Sequence, residues 1–139
     1  MAGAAATRAY RALHKTDPRE EIWTDLKGWL EDVEPTGTDY LVCVYERPEA
    51  MVGTTLIMPS TASRMVEDKL QGFVGLIVKE GPNIKEYEGF FRDKKMPTIG
   101  DWVAFRVVDT SPFTLGTRAV RMVQANFVRL ILKTPDCVI

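Results

Sequence analysis

The chain has 139 residues, of which 45% are hydrophobic, with a formal net charge of −1, which suits one domain with its own core and an extra segment. A charge so close to zero creates no overall field toward nucleic acid or membrane, and argues against both as partners. No apolar run is long enough to span a bilayer, and residues 1–7 lack the hydrophobic stretch of a secretory signal.

The first element is a basic arm. Residues 1–15 carry Arg8, Arg11 and Lys15 but no acidic side chain. Such a segment is either a solvated arm that is disordered in isolation, or an arm that becomes ordered against an acidic surface of a partner. The sequence leaves both interpretations open.

An amphipathic helix is predicted next. Asp17 is placed as its N-cap, Pro18 occupies the first helical position, and Glu20 can close a capping box. The helix should span Pro18 to Val33, because Pro35 and Gly37 end it. Its apolar stripe must be buried, either on the chain's own barrel or, as an assembly helix, on a neighbouring subunit. The stripe consists of Ile22, Trp23, Leu26, Trp29, Leu30 and Val33.

A half-buried strand is predicted at residues 40–46, followed by a loop at 50–71 that contains Gly-Thr-Thr-Leu-Ile-Met-Pro. Three consecutive apolar residues in a loop cannot all point inward. They form either a buried hairpin tip or an exposed anchor that binds in a groove of a partner. The candidate partner-binding residues are Gly53, Leu56, Ile57 and Met58.

Two strongly apolar runs at residues 72–78 and 100–108 predict the central strands. Alternation in the second run puts Val103 and Phe105 on one face and Trp102 and Ala104 on the other. The intervening residues 81–97 are predicted to form an extended hairpin or flap. Its aromatic residues are Tyr87, Phe90 and Phe91.

The C-terminal part predicts a turn at Ser111 and Pro112, and final strands at residues 119–123 and 127–132. The predicted fold is therefore mainly β, a small curved barrel over residues 38–139, with the arm and helix in residues 1–37. The predicted core includes Val42, Val44, Val74, Leu76, Val103, Phe105 and Leu130.

No chemistry of a known active site stands out in the sequence. Cys43 lies within an apolar run, which favours a buried reduced thiol. Together with Cys137 and the lone His14, it could complete a metal site only with carboxylates that no spacing singles out. We therefore expect no metal, no cofactor and no enzymatic activity.

The order of these motifs resembles the GroES-type co-chaperonins, the ten-kilodalton chaperonin family. The shared motifs are the strand at 40–46, the Gly-x-x-Leu-Ile-Met loop, Gly-Phe-Val-Gly-Leu-Ile-Val, the flap, Gly-Asp-Trp-Val-Ala-Phe and the closing Leu-Ile-Leu. The versions encoded by tailed phages are the most similar, with Tyr-Glu-Arg-Pro-Glu before the loop and Asp-Pro opening a helix upstream. The resemblance covers residues 40–139, with a weaker similarity from Asp17.

The resemblance implies a GroES-like β-barrel. It also implies that Leu56, Ile57 and Met58 are the triplet that grips the apical helices of a chaperonin, and that residues 81–97 form the roof region of a ring. Two features depart from the family. The loop has Gly53 as its only glycine between residues 50 and 71, and the helical extension is absent from the cellular co-chaperonins.

Two non-enzymatic functions are consistent with this pattern, since fold does not fix function. The favoured one is a structural protein of the phage virion, which decorates or cements the capsid by contacts with the major capsid protein or other head proteins. The alternative is a co-chaperonin of the host cytoplasm that closes the host chaperonin while capsid protein folds. Both imply a homo-oligomer or another symmetric assembly.

Overall fold

The computed structural model describes residues 16–46, 73–92 and 94–137. The predicted loop residues Gly53, Leu56, Ile57 and Met58, and the arm at 1–15, lie outside these ranges. Within them, the α-helix α1 spans Pro18–Leu26 and precedes six strands. The strands are β1 (Asp39–Val44), β2 (Val74–Glu80), β3 (Trp102–Phe105), β4 (Thr110–Leu115), β5 (Arg118–Gln124) and β6 (Val128–Leu132).

The six strands form one antiparallel sheet in the order β4-β5-β1-β2-β3-β6. The prediction of a mainly β fold is confirmed. The pairing is that of an open sheet, because β4 and β6 each have one strand neighbour in the described part of the chain. Register shifts in β1 and β3, between Leu41 and Val42 and between Ala104 and Phe105, add local twist.

The sheet separates two hydrophobic cores. The helix-side core is built around Leu41, Leu76 and Trp102 and receives Ile22 and Leu26 from α1. The opposite core contains Tyr40, Val42, Ile77, Val103 and Phe105, among others. The predicted alternation of residues 102–105 is confirmed, since neighbouring strand residues point to opposite faces. Both faces are buried, so the central strands read as continuous apolar runs.

α1 is shorter than predicted. Its N-terminus is as expected, because the Asp17 carboxylate accepts a hydrogen bond of 2.9 Å from the Arg19 backbone N–H. The helix ends at Leu26 and not at Val33, because Gly28 has a φ of +85°, the left-handed conformation that terminates helices. A short 3-10 helix, Leu30–Asp32, follows.

Two predictions at the sheet edges are wrong. Ser111 and Pro112 lie within β4 and not in a turn. Proline is tolerated there because β4 is an edge strand, where a missing N–H costs no inter-strand hydrogen bond on the outer side. Leu130 was expected in the core, but 50% of it is exposed, because β6 is the other edge strand.

The connection between β2 and β3 is not a pair of hairpin arms. A 3-10 helix spans Ile84–Phe91, with Ile84 buried in the opposite core and Tyr87 packed against it. Across the described ranges, the helices are too short or too polar to cross a membrane.

Candidate functional site

A buried arginine fixes α1 to the sheet. Arg118 begins β5, and its Nε donates a hydrogen bond of 2.8 Å to Asp25 on the helix. Its Nη atoms lie 3.7 Å from Glu21 and 3.6 Å from Glu46. A buried guanidinium requires such partners, because an unpaired charge in the core is costly. The helix therefore has one defined position on the sheet.

The turn after α1 is held by a close contact with the β4–β5 hairpin. Gly116 in that hairpin has a φ of +62°, and a Cβ placed there would lie 2.8 Å from the Trp29 Nε1 atom. Trp29 thus covers a position where only glycine fits. Its remaining surface, 49% of the residue, is exposed.

The end of the 81–97 connection is fastened to the centre of the sheet. The Tyr40 hydroxyl donates a hydrogen bond of 2.5 Å to the carbonyl oxygen of Pro97, and Thr98 N–H donates to the Asp101 carboxylate at 2.9 Å. Burial raises the pKa of Tyr40 above its usual range, and the negative charges of Glu80 and Asp101 raise it further. The phenol therefore stays a hydrogen-bond donor at physiological pH.

The β6 edge is the most apolar exposed strand that the structure describes. Leu130 and Ile131 are adjacent and point to opposite faces, with 50% and 43% of their surface exposed. β6 pairs with β3 along one side only within the described part of the chain. An exposed hydrophobic edge strand is a template for pairing with a further chain. The β6 edge is therefore a candidate interaction surface.

A groove lies on the helix-side face, where the chain after α1 passes alongside β4 and β5. It encloses about 560 Å³. Residues 33–36 form one wall, and β1, β5 and β4 form the floor and the other wall. Phe113 is exposed at its margin. The apolar residues lining it are Val33, Pro35, Leu41, Phe113, Leu115, Val120 and Met122. We call this the 33–36 groove.

The predicted helix residues have different surroundings. Ile22 and Leu26 are buried in the helix-side core, and Trp23 and Leu30 pack against it. The sequence left open whether the stripe packs on the chain's own sheet or on a neighbouring subunit. These four residues pack on the chain's own sheet. Trp29 is the member of this set with a large exposed surface.

The aromatic residues of the 81–97 connection differ in how far they are buried. Tyr87 packs against the opposite core, whereas Phe90 is exposed and contacts Phe91 edge-to-face at a centroid distance of 5.2 Å. Phe90 is therefore an exposed apolar side chain on the 3-10 helix that packs against the opposite core.

The thiol of Cys43 lies inside the sheet, on β1. Cys43 is a free, buried thiol, and burial raises its pKa to about 12 against a partial opposing effect of Arg118. Such a thiol is a poor nucleophile. Among the described residues, no three His, Cys, Asp or Glu side chains are grouped so that they could hold a metal ion.

Sequence reasoning missed Phe113, Arg118 and the 33–36 groove. The alternation of apolar residues through β4 is short and is interrupted by Pro112, so it gave no strand signal. Arg118 follows a turn, where a charged residue usually means solvent exposure. Its burial follows from the packing of α1 and from its ion pair with Glu46.

Fold and surfaces together define a mainly β protein whose apolar groups are displayed on sheet edges and in a surface groove. No model of a known protein family matches the sequence, and no curated protein matches it.

Proposed function

We propose that the protein is a non-enzymatic structural protein of a phage head, which decorates or cements the capsid through protein–protein contacts. Its sheet would be a diverged GroES-like barrel. The single observation that carries this proposal is the β6 edge, where Leu130 and Ile131 are exposed on a strand with an unpaired side in the described chain. Such an edge suits a protein that works by binding another chain.

The positions of the resembling motifs in the open sheet support the proposed relationship. The stretches at 40–46, 72–78, 100–105 and 127–132 correspond to β1, β2, β3 and β6. These four strands are successive neighbours in the sheet. Motifs far apart in the sequence thus form one contiguous part of the sheet.

Under this proposal, the partners are the major capsid protein or other head proteins, bound in a symmetric assembly. The loop residues Leu56, Ile57 and Met58 and the exposed ring of Trp29 are further proposed contacts. Apolar residues in such positions contribute to binding when a partner removes them from water.

The first test is the protein composition of purified particles. A structural protein should be present in a fixed ratio to the major capsid protein, whereas a folding factor should be lost on purification.

Replacing Leu130 and Ile131 together by Ser should lower the occupancy of the protein on particles about tenfold or more, since two exposed apolar side chains are removed. Arg129→Ser, on the same strand, is the matched control and should keep its occupancy. Equal occupancy of both variants would exclude the β6 edge as the contact.

The alternative is a ring-forming co-chaperonin for the host chaperonin, and the β6 edge favours it as well, because a ring needs a contact between neighbouring subunits. In this case Leu56, Ile57 and Met58 bind weakly one at a time, and the ring multiplies their affinity. A ring of subunits that slows chaperonin ATP turnover would establish the alternative. A protein that leaves turnover unchanged and binds emptied capsids would establish the head protein.

A further inference from the structure

The 33–36 groove has an acidic rim. Glu34 and Asp39 line it, and Glu31 and Asp32 directly precede its wall. Lys79 offsets one of these charges, because its Nζ lies 2.9 Å from the Glu34 carboxylate and donates to the Val33 carbonyl. The two lining carboxylates and the Lys79 ammonium leave a net charge of −1, and Glu31 and Asp32, just before the wall in the chain, add two further negative charges. The 33–36 groove thus has an apolar lining and a negatively charged rim.

The N-terminal segment has the complementary character. Residues 1–15 contain Arg8, Arg11 and Lys15 and no acid, so they carry three positive charges from side chains. Six of the fifteen are alanines, and Tyr10 and Leu13 add larger apolar side chains. The apolar residues of the arm match the apolar lining of the groove, and its cations are complementary to the acidic rim.

We propose that residues 1–15 bind in the 33–36 groove of the same chain, with Arg8 and Arg11 at the acidic rim and the apolar residues against Phe113. Covalent attachment favours this occupant over a free peptide, because a short tether gives a high effective concentration. The inference does not depend on the function proposed above.

The attachment point allows this geometry. The nine residues of α1 rise about 14 Å between the end of the arm and the turn that leads to the groove. The nine residues from Arg8 to Thr16 are joined by eight steps, which can extend over about 27 Å. The segment from Arg8 to Thr16 is therefore long enough to run back along the whole of α1, and residues 1–7 add further reach.

Limited digestion of the full chain with trypsin tests the proposal, because trypsin cuts after Arg8, Arg11 and Lys15. The rate of arm cleavage is followed by intact mass. Phe113→Ser is compared with Phe90→Ser, since both phenylalanines are 55% exposed but Phe90 does not line the groove and belongs to the 3-10 helix that packs against the opposite core. Cleavage of the arm should be about fivefold faster in Phe113→Ser than in the wild type, the effect of removing one apolar contact. Phe90→Ser should match the wild type.

The charges are tested separately. Asp32→Asn with Glu34→Gln should also accelerate arm cleavage, whereas Glu86→Gln with Glu88→Gln, two exposed acids on the far side, should not. Raising NaCl from about 0.05 M to about 0.5 M should accelerate cleavage of the wild-type arm, because salt screens exposed charges. Equal rates in the wild type and all four variants would overturn the proposal.

A second measurement does not depend on proteolysis. In the full chain, Arg8→Ala with Arg11→Ala should shift the backbone amide resonances of Phe113 and Leu115 and leave those of Phe90 and Phe91 unchanged. Unchanged resonances at Phe113 and Leu115 would overturn the proposal. So would protection from trypsin that grows with protein concentration, because the arm would then be bound by a second copy.

Discussion

The central strands and the edge strands of the sheet differ in what their side chains contact. β1, β2 and β3 are buried on both faces, except at strand ends, whereas β4 and β6 expose most of their side chains. The centre therefore supplies stability, because two cores meet there. Within the described ranges, the edge strands bury fewer side chains than the central strands and expose more of them.

The largest effect is expected at the centre. Phe105→Ala removes a side chain that is almost fully buried in the opposite core, and should cost about 3–5 kcal/mol in the free energy of unfolding. Denaturant titration measures this. Phe90→Ala is the matched control and should change stability by less than about 0.5 kcal/mol. Similar losses in the two variants would remove the distinction between buried and exposed regions.

The close approach of β1 and β2 gives the second prediction. A Cβ at Gly75 would lie 2.3 Å from the Val42 Cγ1 atom and 2.5 Å from the Cys43 carbonyl oxygen. Gly75→Ala should therefore destabilise by about 1–3 kcal/mol, since strand backbone must move. Gly89→Ala, with nothing within 4 Å of its Cβ position, serves as the control. A melting temperature of Gly75→Ala equal to that of the control would contradict the tight β1–β2 pairing.

Arg118 connects the edge hairpin to α1. Arg118→Met leaves three carboxylates without their shared cation, and we expect a loss of about 2 kcal/mol. This expected loss is smaller than the loss on breaking a fully buried ion pair, because Asp25 and Glu21 are partly exposed. Thermal unfolding measures the loss, with Arg129→Met on β6 as the control. If Arg118→Met and Arg129→Met lower the stability by equally small amounts, the prediction is contradicted and α1 is held by its apolar contacts.

The smallest effect concerns Asp39 at the border of the 33–36 groove. Burial raises the pKa of this carboxyl above its usual 3.8, so the native state binds more protons than the unfolded state in the window above that value. Stability from this group is therefore lost as pH rises through the window. Asp39→Asn should be more stable than the wild type at neutral pH, by less than about 0.5 kcal/mol, with the difference fading below pH 3.8. Asp32→Asn, at an exposed acid, should show no such gain, and a loss of stability at neutral pH in Asp39→Asn would contradict the burial effect.

The accuracy of the sequence predictions follows the same division. Val42, Val44, Val74, Leu76, Val103 and Phe105 were expected in the core and are buried. Their runs are apolar on both faces, which is a strong local signal. Leu130 was misplaced because its pattern resembles that of the central strands, although it belongs to an edge strand. Which strand lies at an edge depends on the pairing order, and local sequence does not specify that order.

The same reasoning applies to the candidate surfaces. The stripe from Ile22 to Leu30 could be recognised from its spacing, but its destination was left open between the chain's own sheet and a neighbour. The 33–36 groove could not be foreseen, since its walls come from residues 33–36 and from β4, more than 70 positions later in the chain. The loop at 50–71, which includes Leu56, Ile57 and Met58, lies outside the described residues, and its role stays a prediction.

The sequence by itself determined the mainly β class, the start of α1 at Asp17 and Pro18, and the alternation of residues 102–105. Each is a local property, since capping and strand alternation depend on a few neighbouring residues. Only the tertiary structure decided the open strand order, the burial of Arg118 against α1, and the exposure of Leu130 and Phe113. These features depend on contacts between distant segments of the chain. Such contacts stabilise the protein only when the whole sheet has formed.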